Sequence, residues 1–442
     1  MDGNVVIISQ KDIEMIKLSS AIYILLFFCI FRVVFVPLVG NSYVSLASGF
    51  FSIIIALIFT ILLRDQIDLL LLKVYSVVML LPLFFTDGLY YQFLYNFCCI
   101  RPTFLKICIA FLETITPFIV IRGFSSKNII NKLMIKKDSL NKIILFFILL
   151  LLLGHILNLI GVPLPNITET PISDWGAQNV DEDSIEKIKF RVSSFVGSSG
   201  PYSLTMAYLT ISYAILNPKS KFYIFLIGFL VQITSFSRSG FIILFIYTFV
   251  FYLTKIRGFF DFKKFIPSKK SLLPVLILGI SLIYIIFSYA DLLIFQVQRI
   301  FYLLTLLNDK GNFNRLERMN MAIPMIFSEF HTFLIGFGTG VTSKTLGGEQ
   351  FESQYFKVFV EWGFLGISLL AIWVLNTFKL VNKRMSINLN YLPLASAFVF
   401  NLFVIQAFTS APIFAAIGLC LLSMNFDENY KQSEILDSSK YI

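Results

Sequence analysis

Cysteine and histidine are scarce in this chain. Its five Cys (Cys29, Cys98, Cys99, Cys108 and Cys420) lie in or beside apolar runs and none stands in CxxC spacing. That excludes a disulfide-built domain and reads them as lipid-facing or packing thiols. Only His155 and His331 are present, so no histidine-rich metal site can be assembled. Charge is scarce too: 14% of the residues are charged, against about 25% in a soluble chain. The apolar runs reach roughly 20 residues without period-2 alternation, which excludes a β-barrel. A cleavable leader is not expected, because Met1 to Ser20 is polar and mixed in charge and the apolar run after it is too long for a signal core.

What the chain has is apolar surface. Over 442 residues it is 57% hydrophobic, with 50 Phe and 19 Tyr, and its mean hydropathy is +0.81. No soluble core of this length needs so much, so a cytosolic enzyme and a disordered chain are both excluded. The expected class is all-α, a polytopic transmembrane helical bundle. Spans are expected at 19–39, 43–63, 69–86, 103–121, 143–161, 200–216, 221–237, 239–255, 272–290, 354–376 and 391–424. The last is too long for one crossing and is broken by Thr409-Ser410-Ala411-Pro412, which brings the total to about twelve. Gly88 to Ile100 is too short to span and reads as a Tyr-rich interfacial helix.

The net charge of +10 is not a nucleic-acid signature, because the basic residues cluster between apolar runs. Lys and Arg concentrate in 122–142, 255–270 and 379–384, which places these segments and both termini in the cytoplasm. The expected organisation is membrane spans over 1–161, a first large outer loop over 162–198, central spans over 199–290, a second outer loop over 291–353, and C-terminal spans with a cytoplasmic tail over 354–442. The outer loops are expected to carry short helices.

Arginines on the outer side run against the usual bias, and three constellations stand out. Arg191 precedes the small-residue segment Gly197-Ser198-Ser199-Gly200-Pro201, read as a flexible approach to the membrane where a bulky polar ligand can near the backbone. Arg238, in FSRSG, sits at an outer hairpin, where a guanidinium at membrane depth marks a functional site or a paired charge; snorkelling to the interface is the plainer reading. Arg315 and Arg318 follow Asn314, a candidate N-cap, and share one face of a first helical turn. Two cations there oppose the helix dipole, a cost that a bound anion reverses. Downstream, Gly336, Gly338 and Gly340 have no strand–helix unit around them and read as a tight turn lining a cavity.

The order of these features is an outer-loop Arg, SRSG at a hairpin, R-x-x-R at a helix start, H-x-x-x-x-G-x-G, and then Y-x-x-x-x-x-E-W-G-x-x-G. Over roughly residues 185–376 it resembles the O-antigen polymerase and O-antigen ligase superfamily. The resemblance implies a bacterial inner-membrane glycosyltransferase with no cofactor. Its substrates would be undecaprenyl-pyrophosphate-linked glycans surrounded by membrane lipids, and its partner a chain-length regulator. The ligases resemble H-N-x-Y-L ahead of the last glycine motif. Here that His position holds Glu352 and the Asn position Ser353, while His331 falls in the preceding turn. The missing ligase base favours a Wzy-type polymerase.

The chemistry follows physically. An acceptor sugar hydroxyl attacks the anomeric carbon, and pyrophosphate leaves if its charge is held. The outer loops offer no convincing Asp-x-Asp metal site. Arg191, Arg238, Arg315 and Arg318 are therefore the expected pyrophosphate ligands, by bidentate contact. Glu352 is the candidate base, and Ser353, also a possible N-cap, Tyr355 and His331 are accessory candidates; His331 reads most simply as a turn residue with local hydrogen bonds. One displacement inverts the anomeric centre; a retaining route needs a second carboxylate, and Glu361 would be it unless it simply pairs with Lys357. Two alternatives stay open besides the ligase. A lipid-linked oligosaccharide flippase would be expected to show repeated halves and midplane charges. An envelope-assembly scaffold would not need the arginine set.

Overall fold

The computed structural model describes residues 10–39, 44–63, 104–126, 132–160, 162, 164, 192–235, 237–256, 323–338 except 325 and 328, 353–380, 389–404 and 410–439. Regular structure is entirely helical among the described residues. The helices are α1 (Gln10–Ile30), α2 (Val44–Leu63), α3 (Phe104–Ser125), α4 (Lys137–Leu159), α5 (Ser199–Leu216), α6 (Lys221–Thr234), α7 (Arg238–Ile256), α8 (Phe330–Ile335), α9 (Gln354–Thr377), α10 (Leu392–Val404) and α11 (Ala411–Ser439). Single 3-10 turns at Arg32–Phe35, Ser194–Val196 and Pro218–Ser220 join them, and one α-turn at Val36–Val39 follows the first.

α4 and α9 are each long and apolar enough to cross a membrane. Two bent pairs raise the number to four if each is one span: Leu18–Ile30 with Arg32–Leu38, bent by 87°, and Ser199–Leu216 with Pro218–Thr234, bent by 117°. Five shorter apolar helices, Ala47–Leu62, Ile115–Ser125, Ser239–Thr254, Leu392–Leu402 and Ala411–Phe426, cover other expected spans. The described helices thus supply two to four candidate crossings where the sequence suggests about twelve. The segments 69–86, 88–100 and 272–290, and most of the two loops 162–198 and 291–353, lie outside the described residues.

Two expected spans differ in shape. The run 19–39 does not stay straight: it bends after Ile30, where Arg32 turns inward to the Val196 carbonyl. The helix ending at Leu216 cannot run on through Pro218, which lacks the N–H and restricts Asn217, so the chain turns there. The break expected near 409–412 is present, with α11 starting at Ala411.

α4 presents the kind of surface that suits a bilayer. Phe146, Leu149, Leu153, Ile156 and Ile160 are exposed at helical spacing, while Gly154 and His155 face inward with Ile144, Phe147 and Leu151. An apolar stripe turned outward and a polar group turned inward is the reverse of a soluble helix. α7 repeats the pattern with Phe245, Phe249 and Leu253 exposed.

Hydrogen bonds between helices fix which ends lie together. At the tail of α4, His155 meets Tyr202 at the head of α5 and Thr234 at the tail of α6. The head of α7 reaches α5 through Gly240 and Ser203. At the opposite end of the hairpin, Asn217 Nδ2 donates to Asn141 Oδ1 at 2.6 Å, joining the tail of α5 to the head of α4. α10 connects the two levels: Asn401 near its tail donates to Tyr208 of α5, and Tyr391 just before its head donates to Asn425 of α11. Lys379, after the tail of α9, also bonds Asn425. The head of α9 therefore lies at the same end as the heads of α5 and α7. Lys136, Lys137, Lys142, Lys219 and Lys379 all sit at the other end.

Candidate functional site

The head of α7 is built by small and polar residues. Gly240 N donates to Ser203 Oγ at 2.9 Å, Ser203 Oγ donates to Gln232 Oε1 at 2.6 Å, and Gln232 Nε2 donates to the Ser203 carbonyl at 2.9 Å. A side chain at position 240 would run into Ser203 and Gln232, so only glycine lets the first turn of α7 lie against α5. Arg238 is the first residue of that helix. A small cavity beside it is lined by Leu204, Ser239, Ile242, Ile243, Phe400 and Asn401.

A second network adjoins the first. Tyr202 Oη and His155 Nδ1 are 2.9 Å apart, and His155 Nε2 and Thr234 Oγ1 are also 2.9 Å apart. Thr234 Oγ1 donates to the Leu230 carbonyl at 2.9 Å, so it accepts from His155. That assigns the proton of a neutral ring to Nε2 and leaves Nδ1 to accept from the tyrosine hydroxyl.

The segment before α5 is pinned, contrary to the flexible approach expected of it. Ser194 N donates to Asn158 Oδ1 and Ser194 Oγ to the Leu151 carbonyl, both at 2.8 Å. Arg32, buried, donates from Nε to the Val196 carbonyl at 3.2 Å. Gly197 then turns the chain at φ 77°.

The turn after His331 docks onto α9. Gly363 has φ 60° and ψ −157°, which only glycine adopts readily and which interrupts the helical ladder. The freed carbonyls are taken up by the turn: Phe337 N donates to Val360 O and Gly338 N to Glu361 O, both at 2.9 Å. Gly336 at φ 76° and Gly338 at φ 116° make that approach possible. This part of the glycine turn is a dock against a helix rather than the wall of a cavity. His331 is the second residue of α8 rather than part of a turn, and its Nε2 lies 3.1 Å from Glu329 Oε2, a local pairing of the kind expected of it.

The head of α9 carries the remaining candidates. Ser353 is its N-cap and accepts from Phe356 N at 3.5 Å, the role expected of it. Tyr355 is half-buried against the core. Lys357 Nζ and Glu361 Oε1 are 4.0 Å apart, both buried, which realises the pairing considered for Glu361. Gln354 is fully buried, and neither its Oε1 nor its Nε2 has a hydrogen-bond partner among the described residues. Thr205 Oγ1, Asn401 Oδ1 and Ser410 Oγ share that condition at the same end. Most buried polar groups in proteins are paired. Tyr23 Oη in α1 and Thr377 Oγ1 at the tail of α9 are unpartnered among the described residues too, so at this end it is the amide of Gln354, with both polar atoms unpartnered, that stands out.

Arg191, Arg315, Arg318 and Glu352 lie outside the described residues, as does the side chain of Arg238. Glu352 immediately precedes the N-cap of α9 in sequence. Arg32, the His155 network and Gln354 were not among the sequence candidates. Only Arg32 carried a signal, a lone cation inside the apolar run FCIFRVVF. No group of three or more His, Cys, Asp or Glu that could hold a metal ion occurs among the described residues. No protein-family model matches the chain, and no curated protein matches it in sequence.

Proposed function

We propose that this chain is a membrane glycosyltransferase that polymerises undecaprenyl-pyrophosphate-linked oligosaccharide repeat units at the outer face of a bacterial inner membrane. The observation that carries the reading is the convergence at one end of the bundle. The head of α7 with Arg238, the head of α9 with Ser353 following Glu352, and the unpartnered polar atoms of Thr205, Asn401 and Ser410 share that end, opposite the lysines. In this reading the lysine end is cytoplasmic by the positive-inside rule, with the candidate site and the two large loops outside and both termini inside.

In this reading the polyprenyl tails stay in lipid along the exposed apolar faces, and the sugars meet in the polar end. Arg238, with Arg191, Arg315 and Arg318 supplied by the outer loops, holds the pyrophosphate as it leaves. Glu352 takes the proton of the acceptor hydroxyl. The reaction inverts the anomeric centre and calls on no metal. A chain-length regulator would act on the same assembly.

The test is a deletion strain with its lipid-linked glycans resolved on a gel. Single-repeat glycan alone supports the polymerase. Full-length polymer left on the carrier would make the chain a ligase, and cytoplasmic accumulation of repeat units a flippase.

A further inference from the structure

Gln354, Lys357 and Glu361 lie three and four residues apart, so they share one face of α9, and all three are buried. Lys357 and Glu361 offset each other's charge, so the stripe carries no net charge toward a ligand. The amide of Gln354 ends that stripe in the first turn of the helix, one residue after the cap Ser353, and its oxygen and nitrogen are both unpartnered among the described residues. A primary amide offers two donors and an acceptor together, which matches a pair of sugar hydroxyls and not a phosphate. A buried amide left empty is unfavourable, and a ligand that satisfies it gains the hydrogen bonds without displacing an internal partner.

We propose that Gln354 binds the acceptor sugar, holding a hydroxyl next to the one that attacks. This rests on the polymerase reading for the identity of the ligand, and on the structure for the site. In that reading the base is Glu352, two positions earlier in sequence.

The experiment uses the full chain in lipid nanodiscs. Thermal stability is measured with undecaprenyl phosphate alone and with the lipid-linked repeat unit extracted from the deletion strain. The difference between the two is the sugar-dependent stabilisation. In Gln354→Met, which keeps length and removes the amide, the protein without ligand should melt at the same temperature or higher. Its affinity for the repeat unit should fall about tenfold, with binding of undecaprenyl phosphate unchanged. Gln354→Asn, which keeps the amide but shortens its reach, should fall between the two. A Gln354→Met protein that melts lower or fails to fold shows an internal partner and overturns the proposal. So does an unchanged sugar-dependent shift, or the absence of any such shift in the parent chain. A parent chain that shows the shift and loses it on substitution, yet makes no polymer, overturns the polymerase reading and leaves the sugar site standing.

Discussion

The backbone of Gly363 rests on the backbone of Gly336: a Cβ at Gly363 would stand 2.7 Å from Gly336 N and 2.6 Å from the Leu334 carbonyl carbon. The contact joins a break in α9 to the turn that ends α8, and each supplies what the other lacks. The break exposes the carbonyls of Val360 and Glu361, and the turn brings the N–H groups of Phe337 and Gly338 to them.

Gly363→Ala should therefore be among the most damaging single-methyl changes in the chain. It forces a side chain into φ 60° and into a backbone contact at once, a cost of about 3 kcal/mol. Gly49 is the control, since a Cβ there meets nothing within 4 Å. Gly49→Ala should be neutral or stabilising by up to about 1 kcal/mol. Thermal unfolding in detergent measures both, and equal melting temperatures for the two variants would refute the dock.

His155 ties three helices through two hydrogen bonds. His155→Phe and Tyr202→Phe should each cost about 1–3 kcal/mol, because each leaves a buried polar group unpaired. The double substitution should cost less than the sum, since the groups share one bond. Additive losses in melting experiments would mean that the two side chains act separately.

Arg32 should behave as a positioning residue for the segment that opens α5. Arg32→Lys keeps the charge but loses the planar fork that reaches the Val196 carbonyl. We expect a lower melting temperature and shorter polymers, with undecaprenyl phosphate binding retained. Normal chain lengths from Arg32→Lys would remove it from the functional set.

Glu352→Gln should abolish polymerisation while leaving the protein folded and able to bind the lipid-linked unit. An amide keeps the shape of the carboxylate but cannot accept the proton. Glu352→His should retain some activity with a shifted pH optimum, because imidazole can still serve as a base. Chain lengths close to normal from the Gln variant would leave positioning by the arginines as the main catalytic factor.

Orientation is open to direct labelling. A cysteine at Ser173, in the first large loop, should react with an impermeant thiol reagent in intact spheroplasts. A cysteine at Lys219, in the exposed turn between α5 and α6, should be protected. The reverse pattern would put the polar end in the cytoplasm and rule out the outer-face reaction.

The sequence by itself determined the helical class and most helix limits. α4, α7 and α9 begin and end within about six residues of the expected spans, because an apolar run bounded by polar residues or proline is a local signal. The cap at Ser353 and the break before Ala411 were legible for the same reason. The tertiary structure decided what depends on residues far apart in the chain. Arg32 meets Val196 across 164 positions, Tyr202 meets His155 across 47, and Asn401 meets Tyr208 across 193. Periodicity cannot anticipate such pairs, because nothing in a residue's neighbours records which distant helix will face it. The same holds for Gln354: a glutamine at a helix start reads as an ordinary surface residue until packing buries it without a partner.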